Sequence, residues 1–253
     1  MTVTHVTAYL DLKDGSKKTR SHETCFQHFR EIAKAGVPTV VFLSRNFEKE
    51  ASQLSSEFPT ICIEFIDIEE LETYKEAYRI ADLKQPSTPA PEKDTKHFMI
   101  LMNAKIECMK RAIDKDPFRT SHFAWIDFSI HYVFRDPLGT VAKLREQGTQ
   151  SFVPCLVFPG CWENDVGYSY VRQSIHWRFC GGFFLGDKES LLRFSELYRK
   201  EFTGILEKSG TMLWEVNVWS ILEKEHGWNP SWYKAGHDDS IVNVPVEYLR
   251  QLS

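Results

Sequence analysis

The 253-residue chain contains no apolar stretch approaching the length of a membrane span, which takes about 20 residues in a helix. Its N-terminus, Met1-Thr-Val-Thr-His-Val-Thr7, has no charged segment leading into an apolar one. It does not read as a secretory leader, and a cytoplasmic location is expected. CxxC pairs and His/Cys clusters at zinc spacing are also missing, because the six cysteines (Cys25, Cys62, Cys108, Cys155, Cys161, Cys180) are dispersed. That argues against a structural zinc site. Several cysteines lie in apolar runs such as Pro59-Thr-Ile-Cys-Ile-Glu-Phe65, which predicts inert, buried thiols in a reducing compartment and no disulfide framework. There is no excess of positive charge: the net charge is -4 and the pI is near 6.2. A chain so charged has no global field to hold a nucleic-acid backbone, so nucleic acid is not an expected partner. No internal repeat is visible, and no glycine-rich basic loop follows the first apolar run.

What is present is ordinary globular material with a surplus of rings. A hydrophobic fraction of 42% against 26% charged residues lies far from the signature of disorder. Seven Trp, 9 Tyr and 18 Phe supply core bulk, and some supply flat surfaces for stacking. The length suits one large domain.

The first half alternates β-like and helix-like segments. Val3–Leu10 reads as a strand, Glu23–Ala35 as a helix closed by Gly36, Val37–Leu43 and Thr60–Ile66 as apolar strands, with polar helical stretches between them. This rhythm predicts right-handed crossovers, a mostly parallel sheet and a ligand site beyond the carboxyl ends of the strands. The loops after Leu10 and after Leu43, the second carrying Arg45, are therefore candidate ligand loops. Lys84–Asp94 is rich in proline and charge and reads as an exposed loop. Phe98–Ile113 has helical spacing and Pro117 breaks it, after which His122–Phe128 forms a short strand. Strands are expected at Phe152–Phe158 and in the glycine-bearing run Phe179–Gly186, and helices at about Lys188–Leu206 and Leu213–His226.

Asp127, in Trp125-Ile-Asp-Phe-Ser-Ile130, is the most informative residue. A carboxylate at the carboxyl end of a buried strand points into the cleft where such folds bind ligands. A hard oxygen there suits Mg2+ or Mn2+, which keeps several waters and takes its other ligands from substrate phosphates. It equally suits an acid that caps the next turn.

Asn103-Ala-Lys-Ile-Glu-Cys-Met109, followed by Ser121-His-Phe-Ala-Trp-Ile-Asp-Phe-Ser-Ile130, resembles the core of the HtrL/YibB family, whose members are taken to be GT-A-type glycosyltransferases. The resemblance runs in order from Val6-Thr-Ala-Tyr9 through Cys180-Gly-Gly-Phe-Phe184 to Trp214-Glu-Val-Asn-Val218. It implies a GT-A-like (Rossmann-like) α/β fold: one domain over residues 1–253, with a mixed, mostly parallel sheet flanked by helices. A nucleotide-binding half would cover about 1–130 and an acceptor half about 131–253. It further implies transfer of a sugar from a nucleoside diphosphate sugar donor to a hydroxyl acceptor, such as a glycan, assisted by Mn2+ or Mg2+.

The GT-A strand-end motif is Asp-x-Asp, and the matching positions here are Asp127, Phe128 and Ser129, so the second acid is absent. By the same resemblance Thr7, Ala8 and Tyr9 would line the nucleotide pocket, Lys105 would reach the donor phosphates, and Gly181 and Gly182 would let the donor sugar approach the backbone. Glu215 would face the acceptor as a base, and His237 would return to the metal, with Asp238 or Asp239 as further bases or ligands. Each has a plainer reading: Tyr9 as core, Lys105 as a solvated helical lysine, the glycines as a bulge, Glu215 as an acid at a helix N-terminus, His237–Asp239 as a polar turn. Two other functions fit the same residues. One is a binding protein that holds a nucleotide sugar without turnover. The other is a nucleotidyltransferase, which would want more acids and a basic glycine loop.

Overall fold

The computed structural model describes residues 1–12, 20–85 and 93–250. Parts of two expected loops, the turn after Leu10 and the proline-rich stretch after Lys84, lie outside these residues.

The expected alternation is present through the first half. Strand β1 (Val3–Tyr9) leads to α1 (His22–Ala33), β2 (Thr39–Leu43), α2 (Glu48–Glu57), β3 (Ile61–Phe65) and α3 (Glu72–Arg79). Helices α4 (Lys96–Asn103) and α5 (Lys105–Lys115) precede β4 (His122–Ile126), and α6 (Pro137–Gln147) follows it. Then come β5 (Leu156–Gly160), β6 (Phe183–Asp187), α7 (Lys188–Ser209), α8 (Glu215–Glu225) and β7 (Ser231–Lys234). The strands form one seven-stranded sheet in the order β3-β2-β1-β4-β6-β5-β7. Strands β1 to β4 are mutually parallel where they pair, β5 and β7 are parallel, and β6 is antiparallel to both β4 and β5. This is the expected mixed, mostly parallel sheet flanked by helices.

The topology builds one functional edge. Parallel pairing sets Tyr9 beside Leu43, and β4 ends on the same side. Because β6 runs the other way, its first residue, Phe183, pairs with the last residue of β4, Ile126. The residues just before β6 are thereby brought against the residue just after β4, and the Asp127 amide donates to the Gly182 carbonyl at 2.9 Å.

Local chemistry explains several element ends. Ser21 caps α1 by accepting from the Thr24 amide at 3.1 Å, and the chain reverses at Gly36 with φ +69°, a backbone state glycine adopts without strain. Asp187 caps α7, accepting from the Ser190 amide at 3.0 Å. Buried α8 has its first eight residues, Glu215–Leu222, all in the interior.

Three expectations are corrected. Phe98–Ile113 is not one helix: it breaks at Ala104, where the Asn103 side chain donates to the carbonyls of Met99 (2.7 Å) and Leu213 (2.8 Å) and tethers the break to the start of α8. The strand at Phe152–Phe158 begins instead at Leu156. Pro154 has no amide to give a ladder, and Phe152 forms only an isolated bridge to Leu249. In the glycine-bearing run only Phe183 onward is strand, and the Gly181 carbonyl before it accepts from a side chain, as the next section describes.

Candidate active site at the end of the fourth strand

Lys105 opens α5 with its whole side chain inside the protein, 1% exposed. Its ammonium lies 2.9 Å from Asp127 Oδ1 and 2.9 Å from Glu215 Oε1, and donates to the Gly181 carbonyl at 2.8 Å. Three segments far apart in sequence thus converge on one cation. Burial alone would depress the ammonium's pKa, but Asp127 and then Glu215 outweigh it and hold Lys105 above the ordinary lysine range. Lys105 is therefore a permanently charged member of the site and not a solvated helical lysine.

Asp127 is the member that reaches the surface, with 36% of its side chain exposed. Its Oδ1 is held by Lys105 and by the Trp125 indole N–H at 2.7 Å. Its Oδ2 takes no hydrogen bond or ion pair among the described residues and is the oxygen left for a ligand. Glu215 is 3% exposed, and its Oε2 is buried without a hydrogen-bond partner. The structure thus puts Glu215 behind the site, against Lys105, and not on an open acceptor face.

The glycines are explained by the same packing. A Cβ on Gly181 would lie 2.1 Å from Glu215 Oε1, and one on Gly182 would lie 3.0 Å from Ile130 and 3.2 Å from Ile241. The space the missing side chains leave is filled by Glu215 and the two isoleucines.

Asp127 opens into a cleft of about 220 Å³ whose walls include Ala8, Tyr9, Phe98, Met102, Ser129 and Tyr132. Arg20 and Lys93 also line it, and the Arg20 guanidinium stands 3.6 Å over the Tyr132 ring. Ser129 is hydrogen-bonded to His28 Nδ1 at 2.6 Å. One face of Tyr9 is taken: it stacks on Phe128 with centroids 4.8 Å apart, Phe128 stacks in turn on Phe29, and the Tyr9 hydroxyl meets His22 Nδ1 at 3.0 Å. Thr7 is fully buried; Phe128 packs in the core and also lines the cleft between Asp127 and Ser129; neither glycine does.

Three candidates lie elsewhere. Arg45 is not on the cleft wall; its guanidinium is bound to Asp67 at 3.1 Å and Glu70 at 2.6 Å near the sheet edge. Asp238 accepts from the amide and hydroxyl of Ser240, bonds that hold its carboxyl below the usual range. Asp239 accepts from the amides of Arg135 and Asp136 and from Thr140, which pins α6 to the C-terminal loop. His237 stands between the rings of Tyr132 (6.3 Å) and Trp177 (6.2 Å), so Tyr132 links it to the cleft. Sequence reasoning missed Trp125, Arg20, His28 and Tyr132. Of these only Trp125, two residues before Asp127, carried a readable signal.

No three His, Cys, Asp or Glu side chains among the described residues are grouped to hold a metal. A cation chelated wholly by protein does not fit. A hydrated Mg2+ or Mn2+ that takes one carboxylate oxygen and the rest of its shell from phosphates fits Asp127 Oδ2. No helix among the described residues is long and apolar enough to cross a membrane.

Comparison with solved structures finds distant likenesses. Mouse xyloside xylosyltransferase 1 in its apo form is 11% identical over 91% of this chain and 84% of its own, with a TM-score of 0.44. The 4-diphosphocytidyl-2C-methyl-D-erythritol synthase of Anaerococcus prevotii is 6% identical over 94% and 88%, with a TM-score of 0.42. The Mycobacterium tuberculosis protein Rv0371c, in complex with manganese, is 7% identical over 94% and 89%, with a TM-score of 0.40. Similarity this low carries no argument about activity. No curated protein matches in sequence. Residues 1–210, which contain Lys105, Asp127 and the paired glycines, match the family described as "Bacterial protein of unknown function (HtrL_YibB)", and the chain belongs to that family.

Proposed function

We propose that this protein is a transferase that binds a nucleoside diphosphate sugar in the cleft at Asp127 and passes the glycosyl unit to a hydroxyl acceptor. The observation that carries the reading is the buried Lys105 ammonium clamped between Asp127 and Glu215 at the carboxyl end of β4. A cluster this costly to bury is not needed to close a sheet edge; it fixes one carboxylate, with one free oxygen, on the floor of a cleft. Such a preset carboxylate costs little reorganisation when ligand arrives.

The remaining walls suit the same ligand. Arg20 and Lys93 bring positive charge that matches a diphosphate, and Phe98, Leu101 and Met102 form an apolar floor for a flat ring. Mn2+ or Mg2+, when bound, would neutralise charge on the departing diphosphate; Asp127 would hold it, and His237, which packs against the cleft residue Tyr132, is the imidazole we propose as a further ligand. Lys105 and Glu215 act through Asp127 as positioning residues. The family resemblance supports the glycosyl donor over other nucleotides.

The test is release of nucleoside diphosphate from a panel of nucleotide sugars, with and without simple sugar acceptors. Release that depends on Asp127 supports the transferase. A nucleotide sugar that binds and is recovered intact under every acceptor points to a binding protein without turnover, a reading favoured by the burial of Glu215.

A further inference from the structure

Of the six cysteines, expected to be inert core thiols, two form a pair. Cys161 Sγ and Cys180 Sγ lie 3.3 Å apart with no disulfide between them. Their backbones are already neighbours: the Cys180 amide donates to the Pro159 carbonyl at 2.8 Å, and the Cys161 amide to the Trp177 carbonyl at 3.2 Å. A disulfide needs sulfurs about 2.05 Å apart, so closing the pair asks for a shift of side chains and leaves the two strands of backbone in place.

The pair is also asymmetric in the way exchange chemistry requires. Cys161 is half-buried and reachable, whereas Cys180 is 1% exposed. The Cys180 thiol donates to Cys161 and Lys234 adds positive charge, which together bring the Cys161 thiol down to about 7, while the same contact and burial push Cys180 far up. At neutral pH Cys161 is the attacking sulfur and Cys180 the resolving one. The other four cysteines have no such partner thiol among the described residues.

We propose that Cys161 and Cys180 are a reversible oxidation site, closed to an intramolecular disulfide by a small-molecule disulfide oxidant. The Cys161 thiolate attacks one sulfur of the oxidant, forming a mixed disulfide and expelling one thiolate. Cys180 then gives up its proton and attacks Cys161 Sγ, expelling the second thiolate. The two cysteines lose two electrons, the oxidant gains them as two thiols, and the two protons end on those thiols. The bond would close next to Gly181, whose carbonyl accepts from Lys105. This inference stands on thiol geometry and is independent of the transferase reading.

The test treats the full chain with oxidised glutathione at pH 7.5, then counts free thiols and maps peptides by mass spectrometry. The expected result is loss of two thiols, a Cys161–Cys180 linked peptide, reversal by dithiothreitol, and a rise in Tm of at least about 4 °C. In Cys180→Ser the same treatment should stop at glutathione on Cys161, a folded-state readout that does not need the disulfide. Six thiols remaining, a stable glutathione adduct on wild-type Cys161, or linkage through other cysteines would each overturn the proposal.

Discussion

Lys105 Nζ and Glu215 Oε1 lie 2.9 Å apart although 110 residues separate them in sequence, and both side chains are buried. The contact joins the start of α5 to the start of α8 beneath the edge where β4 and β6 meet, so the same ion pair supports the fold and orients Asp127. Removing one partner leaves an uncompensated charge in the interior, and that asymmetry makes the pair testable.

Lys105→Met is expected to destabilise the protein by about 3–5 kcal/mol, read as a drop in the urea midpoint at unchanged slope. The double variant Lys105→Met/Glu215→Leu should recover a large part of the loss, since it removes the orphaned carboxylate as well. Because the folded-state pKa of Lys105 is raised, its contribution is complete at neutral pH and fades only as pH climbs through that raised value. A loss below about 1 kcal/mol in the single variant would show that Lys105 is not a buried ion.

Gly181→Ala tests why the glycine is there. The added Cβ would lie 2.1 Å from Glu215 Oε1, and the forced shift should cost about 1–3 kcal/mol and displace Lys105. Gly204→Ala is the control: nothing lies within 4 Å of its added Cβ, and it sits inside α7, so it should stabilise by about 0.4–1 kcal/mol. Equal melting temperatures for the two variants would remove the packing explanation.

His5, on central strand β1, is fully buried, and burial lowers its pKa to about 4. In the unfolded chain histidine titrates near 6.5, so between about pH 6.5 and 4 the unfolded state binds the extra proton. Stability should therefore fall as pH drops through that window, by about 3 kcal/mol from His5 alone. His5→Phe should flatten the slope of stability against pH there. An unchanged slope would mean that His5 is protonated in the folded protein.

The order of elements up to β4 was legible because each parallel strand of the first half is a short apolar run bounded by turn signals, and because Asp127 closes the last of them. What the residues did not disclose depends on partners distant in sequence. Asn103 breaks a helix that looks continuous by reaching Leu213. Glu215 reads as a surface acid at a helix start, yet α8 is buried and Lys105 satisfies one of its oxygens. The glycine pair reads as room for a ligand, but that room holds Glu215, Ile130 and Ile241. Cys161 and Cys180 are separated by a segment that doubles back on itself, so spacing alone does not pair them.

The most direct test of the central claim is a thermal-shift titration of nucleoside diphosphates and their sugars, with and without Mn2+, on wild type and Asp127→Ala. A ligand at 100 times its Kd stabilises the folded state by about 2.7 kcal/mol, which is roughly 5–10 °C for a chain of this size. The account predicts a shift of that order for at least one nucleotide sugar, abolished in Asp127→Ala while the variant stays folded. No shift with any nucleotide at millimolar concentration, or the same shift in both proteins, would contradict it.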